Sequence, residues 1–498
     1  MATATGILMR VELPTSESDF SVRRFAASFF VIAGGLCALC AFMQITFALA
    51  VAIPVLAVWL WHTPVRGVYV LMAGAVMIEV FPLNFPDSLT DRVPLFQNLN
   101  NSAGLTGLSI TPAEILMLTV AVIAIARAIS EQQLHWPGGR LVTAYCLYVV
   151  VVLGAEIRGL VAGGDFKTSL WEIRPQVYGF ILFVMATTLV VDRAQLKRLA
   201  IVFLLAASVK AAVGDVRYFV TLQGNVGQQL EVLAHDDSYF LGMLVIAGLA
   251  ALIWLKDRRV VIPIGVMSVF ALIALLANSR RAGVYALAAG VGVILLLAFK
   301  FEPELRKQIA WVSVALLIAG GVFAGYAWNK EYGIQAQLVR PIRSLVDPSA
   351  RDFSSDSYRT NETANLKYTF RTSPLIGVGF GSPFYIVYPM ADISNIYPLW
   401  NVIPHNSLMW VGMRMGTIGF AAFWGLIGLA MLEGFYVISR RRDPFVRTIA
   451  AFAVAGIVAE VAVGYADIQL ESYRNLIFLG VLIGVLNRLP RLPESENA

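Results

Sequence analysis

Apolar stretches separated by short polar joints fill most of this 498-residue chain. A helix that crosses a bilayer needs about 17 to 25 predominantly apolar residues, and most of the stretches have about that length. The pattern therefore predicts membrane spans at residues 25–42, 44–61, 66–82, 112–130, 140–157, 175–191, 196–213, 237–255, 260–277, 282–299, 309–328, 407–435, 446–465 and 474–489. The first two stretches can also be read as one bent segment, so we expect about 12 to 14 spans.

The composition indicates the same class. Apolar residues make up 58% and charged residues 14% of the sequence, whereas a soluble domain averages about 45–50% apolar and about 25% charged residues. The three cysteines, Cys37, Cys40 and Cys146, lie in apolar stretches, which argues against a disulfide or a zinc site. Residues 1–22 lack an apolar core, so the first helix is expected to be an uncleaved anchor. We predict an all-α polytopic membrane protein.

The basic residues predict the orientation. The net charge is +6, and Lys and Arg occur in small groups in alternate joints. Such groups are typical of cytoplasmic joints and do not favour nucleic-acid binding. In a bacterial inner membrane the chain then divides into a cytoplasmic tail at 1–24, spans within 25–328, a large periplasmic loop at 329–406, spans within 407–489 and a cytoplasmic tail at 490–498.

Two arginines stand out on the predicted outer side. Arg280 and Arg281 begin a helix there, where positive charge opposes both the orientation rule and the helix dipole. A helix N-terminus capped by Asn278 or Ser279 and carrying two guanidinium groups is suited to a phosphate or diphosphate. The alternative is that the pair binds lipid headgroups or pairs with an acidic residue of the outer loop.

Arg174 lies on the same predicted face, directly before Pro175, which suits the first turn of a helix. One interpretation is an interfacial anchor together with Trp171. The other is that Arg174 points into a cavity shared with Arg280.

His405 lies at an outer boundary, just ahead of a helix capped by Asn406 or Ser407. A neutral imidazole can take a proton from an alcohol nucleophile, such as a glycosyl acceptor. Arg414 follows Ser407 by seven residues, on the same helical face and about 10 Å deeper. An arginine at that depth is costly in lipid, so we expect it to face a polar cavity, the alternative being that it snorkels.

No metal or cofactor is expected. No His-Glu-x-x-His motif, cysteine pair or acidic cluster in the sequence supports a metal site, since Cys37 and Cys40 lie in an apolar stretch. The run GVGFG at Gly377–Gly381 follows no strand and precedes no lysine, so a tight turn is favoured over a nucleotide site.

Three of these stretches resemble the O-antigen ligase and polymerase superfamily. SRRAGVYAL is similar to the family's Ser-Arg-Gly stretch at a helix start, although Arg281 replaces the usual glycine. SPLIGVGFGSPF and PHNSLMWVGMRMGTIGFAAF resemble the turn and the His-Asn-Ser segment that end the family's large periplasmic loop. Arg359 sits where the family often has an arginine, whereas Arg414 stands where many members have an acidic residue.

The resemblance implies a metal-independent membrane glycosyltransferase, similar to the GT-C class. Such an enzyme transfers a glycan from a polyprenyl diphosphate to a saccharide or lipid acceptor of the cell envelope, as in lipopolysaccharide or exopolysaccharide assembly. Arg280 and Arg174 would then bind the diphosphate, with Arg281 and Arg414 adding positive charge, and His405 would activate the acceptor. Arg359 is a possible loop contact. Membrane lipids and other polysaccharide assembly proteins are expected partners.

Other functions stay open from the sequence. A protein O-glycosyltransferase would share the chemistry but use a different acceptor, and a non-catalytic assembly scaffold would need none of it. A transporter or flippase of the lipid-linked glycan would need ionisable groups near the midplane. Lys210 and Glu460 are the candidates, and both lie toward the outer ends of their helices.

The topology generates a first prediction. A reporter fused after Ala364 should be periplasmic and one fused after Arg442 cytoplasmic, because the first position lies in the large loop and the second in a basic joint. Alkaline phosphatase and fluorescent-protein fusions measure the two sides. If both fusions report the same side, the fourteen-span topology fails.

Overall fold

The computed structural model describes residues 35, 58–80, 90, 93–100, 109–132, 137–224, 231–330, 333–395 and 397–493. The regular structure within these ranges is helical, with no strand. The predicted N-terminal tail lies outside the described residues, as do nearly all of the first two predicted spans, with Cys37 and Cys40.

We number the helices of the described ranges in chain order: α1 Val65–Met77, α2 Pro112–Ser130, α3 Arg140–Val161, α4 Phe166–Leu189, α5 Arg193–Val216, α6 Asp237–Trp254, α7 Arg258–Ala277, α8 Arg281–Phe301, α9 Arg306–Ala327, α10 Gly333–Val346, α11 Ala350–Thr372, α12 Ser407–Arg440, α13 Pro444–Gly464 and α14 Tyr473–Arg488. A short π-helical turn, Arg217–Thr221, continues α5. Each of the remaining twelve predicted spans overlaps one helix, and α10 and α11 lie in the predicted outer loop.

Nine helices of the described ranges are long and apolar enough to cross a membrane, namely α2, α3, α5 to α9, α12 and α13. Of the other three that overlap predicted spans, α1 has 13 residues and α14 has 16. The third, α4, carries Lys167, Glu172 and Arg174 in its first half. The all-helical membrane class is confirmed, and the exact number of spans stays a prediction.

Two local expectations about helix starts are wrong. The helix that contains Arg174 does not begin at Pro175: α4 begins at Phe166, because Asp165 caps it by accepting a hydrogen bond from the Thr168 N–H at 2.6 Å. Pro175 lies inside the helix.

The start of α8 also differs from the expectation, because neither Asn278 nor Ser279 caps that helix. The Asn278 side chain instead accepts hydrogen bonds from the N–H groups of Val232 and Leu233, at 3.0 and 2.8 Å. Ser279 has φ +57°, which turns the chain between α7 and α8 and leaves Arg280 at the cap position.

Helix α14 is the central element, with nearly every residue buried. It packs closely along α4, because glycines allow the two backbones to approach. A Cβ atom at Gly480 would lie 2.1 Å from the carbonyl oxygen of Gly179. Small residues at such crossings are typical of membrane helix packing, where close van der Waals contact replaces the hydrophobic driving force.

A buried ionic network joins four helices at one end of the bundle. Lys210 of α5 pairs with Glu79 and, at 3.2 Å, with Asp237 at the start of α6. Arg474 of α14 pairs with Asp237 and donates to the carbonyls of Ala75 and Val76, the last turn of α1. All four charged side chains are buried, and cations at a helix C-terminus also complement its dipole.

One end of the helical bundle carries residues 329–406, and we call it the loop end. Because successive helices alternate in direction, the helix ends that lie there can be assigned. The starts of α6, α8, α12 and α14 and the ends of α5, α7 and α13 all lie there. The loop end is the predicted periplasmic side.

Candidate functional site

Sequence-remote charged residues gather at the loop end, and we call this group the polar cluster: Glu231, His235, Asp236, Arg280, Arg359, Glu362, His405 and Asp467. They come from the segment before α6, the start of α8, helix α11, the residue before the cap of α12 and the α13–α14 connection. Of the predicted site residues, Arg280, His405 and Arg359 are brought together here.

Asp467 interacts with more members of the polar cluster than any single ion pair does, and it is buried. Four cationic or titratable groups lie within its electrostatic range: His235, Arg280, Arg359 and His405. Burial alone would disfavour the charged form, but these neighbours outweigh it and hold the pKa of Asp467 below its ordinary value. Asp467 is therefore a carboxylate at neutral pH, and it attracts the surrounding cationic groups.

Arg280 is the N-cap residue of α8, and its Nη2 pairs with the Glu231 carboxylate. Burial opposes its charge, but Asp467 and Glu231 outweigh the burial and raise the pKa of Arg280 above its ordinary value. Its Nε is buried and has no hydrogen-bond partner among the described residues. Arg280 is thus a permanent cation with an unused donor.

Arg281 has a different environment, although it is the next residue. Its Nη1 and Nη2 donate to the two carboxylate oxygens of Asp356 at 3.0 and 2.6 Å. This is the loop pairing that the sequence left open as the alternative to anion binding. Because the bidentate bond occupies both terminal nitrogens, Arg281 holds α11 against the start of α8.

Helix α11 contributes Arg359 and Glu362 to the polar cluster. The helix is held in place by two aspartates, spaced four residues apart on one face: Asp352 binds Arg340 of α10, and Asp356 binds Arg281 of α8. Arg359 continues that face, and it makes no hydrogen bond or ion pair with any described residue. These ion pairs therefore fix the helix that presents Arg359 and, one turn later, Glu362.

His405 and Glu362 form a hydrogen-bonded pair. The Nδ1 atom of His405 lies 3.1 Å from Oε1 of Glu362, and the backbone N–H of His405 donates to Oε2 at 2.9 Å. Glu362 is fully buried, whereas a quarter of the His405 side chain is exposed. With Nδ1–H donated to the carboxylate, Nε2 carries the lone pair that can accept a hydroxyl proton.

A second histidine–carboxylate pair also lies within electrostatic range of Asp467. Nε2 of His235 is 2.9 Å from Oδ1 of Asp236, whose Oδ2 accepts a hydrogen bond from Ser472 at 2.8 Å. Burial opposes both charges, but the mutual attraction outweighs it, so the pKa of His235 rises to about 9 and that of Asp236 falls to about 2. His235 is therefore an imidazolium at neutral pH.

Sequence reasoning missed His235, Asp236, Asp467 and the partner role of Glu362. The signal for the first two was the run His-Asp-Asp-Ser directly ahead of an apolar helix, on the predicted outer side. Asp467 carries no local signal, because its importance comes from neighbours that are 60 or more residues away in sequence.

Arg414 is buried, as its depth predicted, but it faces protein groups and not an open cavity. Its Nε pairs with Glu172 of α4 at 2.6 Å, and its Nη1 and Nη2 donate to the carbonyls of Gly379 and Val402, both at 3.0 Å. Because all three nitrogens have partners, this geometry does not support a diphosphate-ligand role for Arg414.

The glycine run docks beside Arg414, where α12 is broken at Gly416. Gly377 and Gly379 both have positive φ, and the N–H groups of Val378 and Gly379 donate to the carbonyls of Met413 and Arg414. A Cβ at Gly377 would lie 2.2 Å from the Arg414 carbonyl oxygen. The GVGFG run is therefore a backbone turn fitted against α12.

Arg174 is also outside the polar cluster. It donates to the Asn98 side chain at 3.1 Å and to the Ser109 carbonyl, and it pairs with Glu114 at 3.4 Å. These contacts fasten α4 to the segment that leads into α2. The cavity shared with Arg280 is not seen among the described residues.

No group of three His, Cys, Asp or Glu side chains within the described ranges is arranged to hold a metal ion.

Residues 266–424 match the family described as O-antigen ligase. The match confirms the predicted resemblance to the O-antigen ligase and polymerase superfamily, and it agrees with a multi-pass membrane protein. It includes Arg280, Arg359, Glu362 and His405, whereas His235 and Asp467 lie beyond its two ends. No curated protein matches the chain.

The Arg414 geometry generates a second prediction. Replacing Arg414 by Leu leaves the buried Glu172 carboxylate without its cation, which costs on the order of 3–5 kcal/mol. The detergent-purified variant should unfold at a clearly lower temperature than the unmodified protein. Arg371→Leu, which changes an exposed arginine of α11, is the matched control and should not lower that temperature. Unchanged stability together with lost diphosphate binding would show that Arg414 binds the diphosphate and has no structural role.

Proposed function

We propose that this chain transfers a glycan from a polyprenyl diphosphate carrier to a hydroxyl group of a saccharide or lipid acceptor at the periplasmic face. The process served is the polymerisation or ligation of a surface polysaccharide. The observation that carries the proposal is the convergence of Arg280 and the His405–Glu362 pair on Asp467. That convergence lies at the loop end, and three of the four residues fall within the O-antigen ligase match.

Arg280 supports the donor half of the reaction. A guanidinium only donates hydrogen bonds and stays charged at any relevant pH, so its role is to hold the diphosphate and to stabilise the charge that grows as the sugar leaves. Glu231 occupies Arg280 in this structure, so an incoming diphosphate has to compete with that carboxylate. Arg359, without an ion-pair partner among the described residues, supplies a second cation.

His405 supports the acceptor half. The acceptor oxygen forms a bond to the anomeric carbon as the bond from that carbon to the diphosphate oxygen breaks. The acceptor proton passes to Nε2 of His405, and the imidazolium that results is stabilised by the Glu362 carboxylate at Nδ1. Glu362 is thus a positioning residue, which fixes the tautomer and the ring orientation.

The other arginines that the sequence predicted as site residues lie outside the polar cluster and hold neighbouring segments in place. Arg281 orders α11 through Asp356, and Arg414 anchors the loop through Glu172. We therefore assign donor contacts to Arg280 and Arg359 and a structural role to Arg281, Arg414 and Arg174.

The two groups that a transporter would use are already engaged. Lys210 pairs with Glu79 and Asp237, and Glu460 accepts hydrogen bonds from the Asn475 side-chain amide at 3.1 and 3.3 Å. Such engagement favours a transferase over a flippase among the functions that the sequence left open.

The division between the two half-reactions generates a third prediction. Arg280→Lys keeps the charge but loses the planar fork, so it should weaken both farnesyl diphosphate binding and glycan transfer. His405→Ala should leave binding nearly intact and reduce transfer on the order of a hundredfold or more. Microscale thermophoresis measures binding, and gel separation of labelled glycan products measures transfer.

Two further variants control this comparison. Glu231→Gln removes the competitor of the diphosphate, so it should tighten binding, in the opposite direction to Arg280→Lys. His62→Ala changes an exposed histidine at the opposite end of the bundle and should alter neither quantity. Near-normal transfer by His405→Ala would show that another group activates the acceptor.

A further inference from the structure

The His235–Asp236 pair is built as a fixed unit. Asp236 is buried: its Oδ1 lies 2.9 Å from Nε2 of His235, and its Oδ2 accepts a hydrogen bond from Ser472, at the start of α14. Because Nε2 of His235 is in ion-pair contact with Asp236, the remaining ring nitrogen, Nδ1, is the one available to a ligand. The His235 side chain is 35% exposed, so a ligand can reach it.

This unit lies next to the donor-binding arginine. Arg280, from the start of α8, and Asp467, from the α13–α14 connection, both lie within electrostatic range of His235. Two cations so close would repel each other without their carboxylate partners. The buried and unpaired Nε of Arg280 is a second observation that points to an anionic ligand at this place.

The two histidines of the polar cluster differ in their surroundings. His405 bonds the Glu362 carboxylate through side chain and backbone, and it also lies within electrostatic range of Asp467. His235 lies near two carboxylates, Asp236 and Asp467, and their attraction outweighs burial to raise the pKa of His235 to about 9. A proton acceptor and a proton donor near the same carboxylate, Asp467, are the arrangement that acid–base chemistry needs.

We propose that His235, oriented by Asp236, is a further donor-site residue that contacts the diphosphate beside Arg280 and protonates it as the sugar leaves. This inference rests on the proposed function. A proton donor beside Arg280 implies that the donor substrate is a diphosphate-linked glycan. Its leaving diphosphate oxygen becomes negatively charged and can accept a proton.

The step balances in atoms and charge. The acceptor oxygen bonds to the anomeric carbon, and the electron pair of the breaking bond goes to the diphosphate oxygen. The acceptor proton goes to Nε2 of His405, and the proton on Nδ1 of His235 goes to the diphosphate. His235 is left neutral, with its remaining proton on Nε2, next to Asp236. Arg280 cannot replace it, since a guanidinium does not release its proton at these pH values.

The test is binding of farnesyl diphosphate to the purified full-length protein between pH 7 and pH 10. The groups that face His235 are Asp236, Asp467 and Arg280, and all of them keep their charge over this range. Binding by the unmodified protein should weaken as the pH rises through about 9, where the imidazolium is lost.

His235→Gln removes the titrating ring. It should bind the probe about tenfold more weakly at pH 7, with no decrease between pH 8 and pH 10, so that the two proteins converge at high pH. His62→Gln, the matched control, should follow the unmodified protein. Asp236→Asn keeps the ring but removes its carboxylate, so the pH at which binding weakens should fall by about one unit or more.

The outcomes separate the two proposals. If His235→Gln binds like the unmodified protein at every pH while Arg280→Lys binds weakly, the role of His235 is wrong and the donor site stands. If neither variant changes binding, the donor-site assignment itself fails. Should His235→Gln not fold, the pH shift of Asp236→Asn decides the question, and an unshifted profile overturns the inference.

Discussion

The cost of placing charge inside a membrane protein organises this structure. A charged side chain removed from water without a partner is strongly destabilising, and several buried charges of this chain are accordingly held in pairs or networks. Lys210 and Arg474 share Asp237 at the loop end, and Arg414 is held by Glu172 and two carbonyls. Each pair joins helices that are far apart in sequence, and together they fix the ends of the helices on which the polar cluster is built.

The polar cluster uses the same attraction for a different purpose. Asp467 draws histidines and arginines from four separate segments toward one buried carboxylate. In contrast to Arg414, Arg280 keeps a donor without a partner and His405 keeps one ring nitrogen free of described contacts. The unused capacity of these groups is what distinguishes a site that can bind and react from a purely structural ion network.

The sequence predicted what depends on local pattern. The helical class followed from apolar stretch length. The alternation of basic joints predicted Arg280 and His405 on one side of the membrane, and both lie at the loop end. The cap of α12 by Asn406 is confirmed, since its side chain accepts from the Met409 N–H at 3.0 Å. The resemblance in the stretches around Arg280 and His405 lies inside the matched region.

What the sequence did not predict depends on partners distant in the chain. Arg280 and Arg281 are adjacent, yet Arg281 forms a bidentate bond with Asp356, on a helix 75 residues later, whereas Arg280 pairs with Glu231 and keeps a buried Nε without a partner. The depth of Arg414 indicated a polar environment, but helical periodicity carries no information about Glu172 on another helix. His235 was missed because a histidine in a polar joint is common, and its significance comes from Asp467.

The central claim is that the carrier–sugar bond is broken at the polar cluster. The most direct measurement is a reaction in proteoliposomes that contain the purified chain, a polyprenyl diphosphate-linked glycan and a saccharide acceptor, without nucleotide or ion gradient. One polyprenyl diphosphate should be released for each glycan transferred. Movement of the glycan lipid to the other leaflet with its carrier bond intact, and no release of polyprenyl diphosphate, would contradict the central claim.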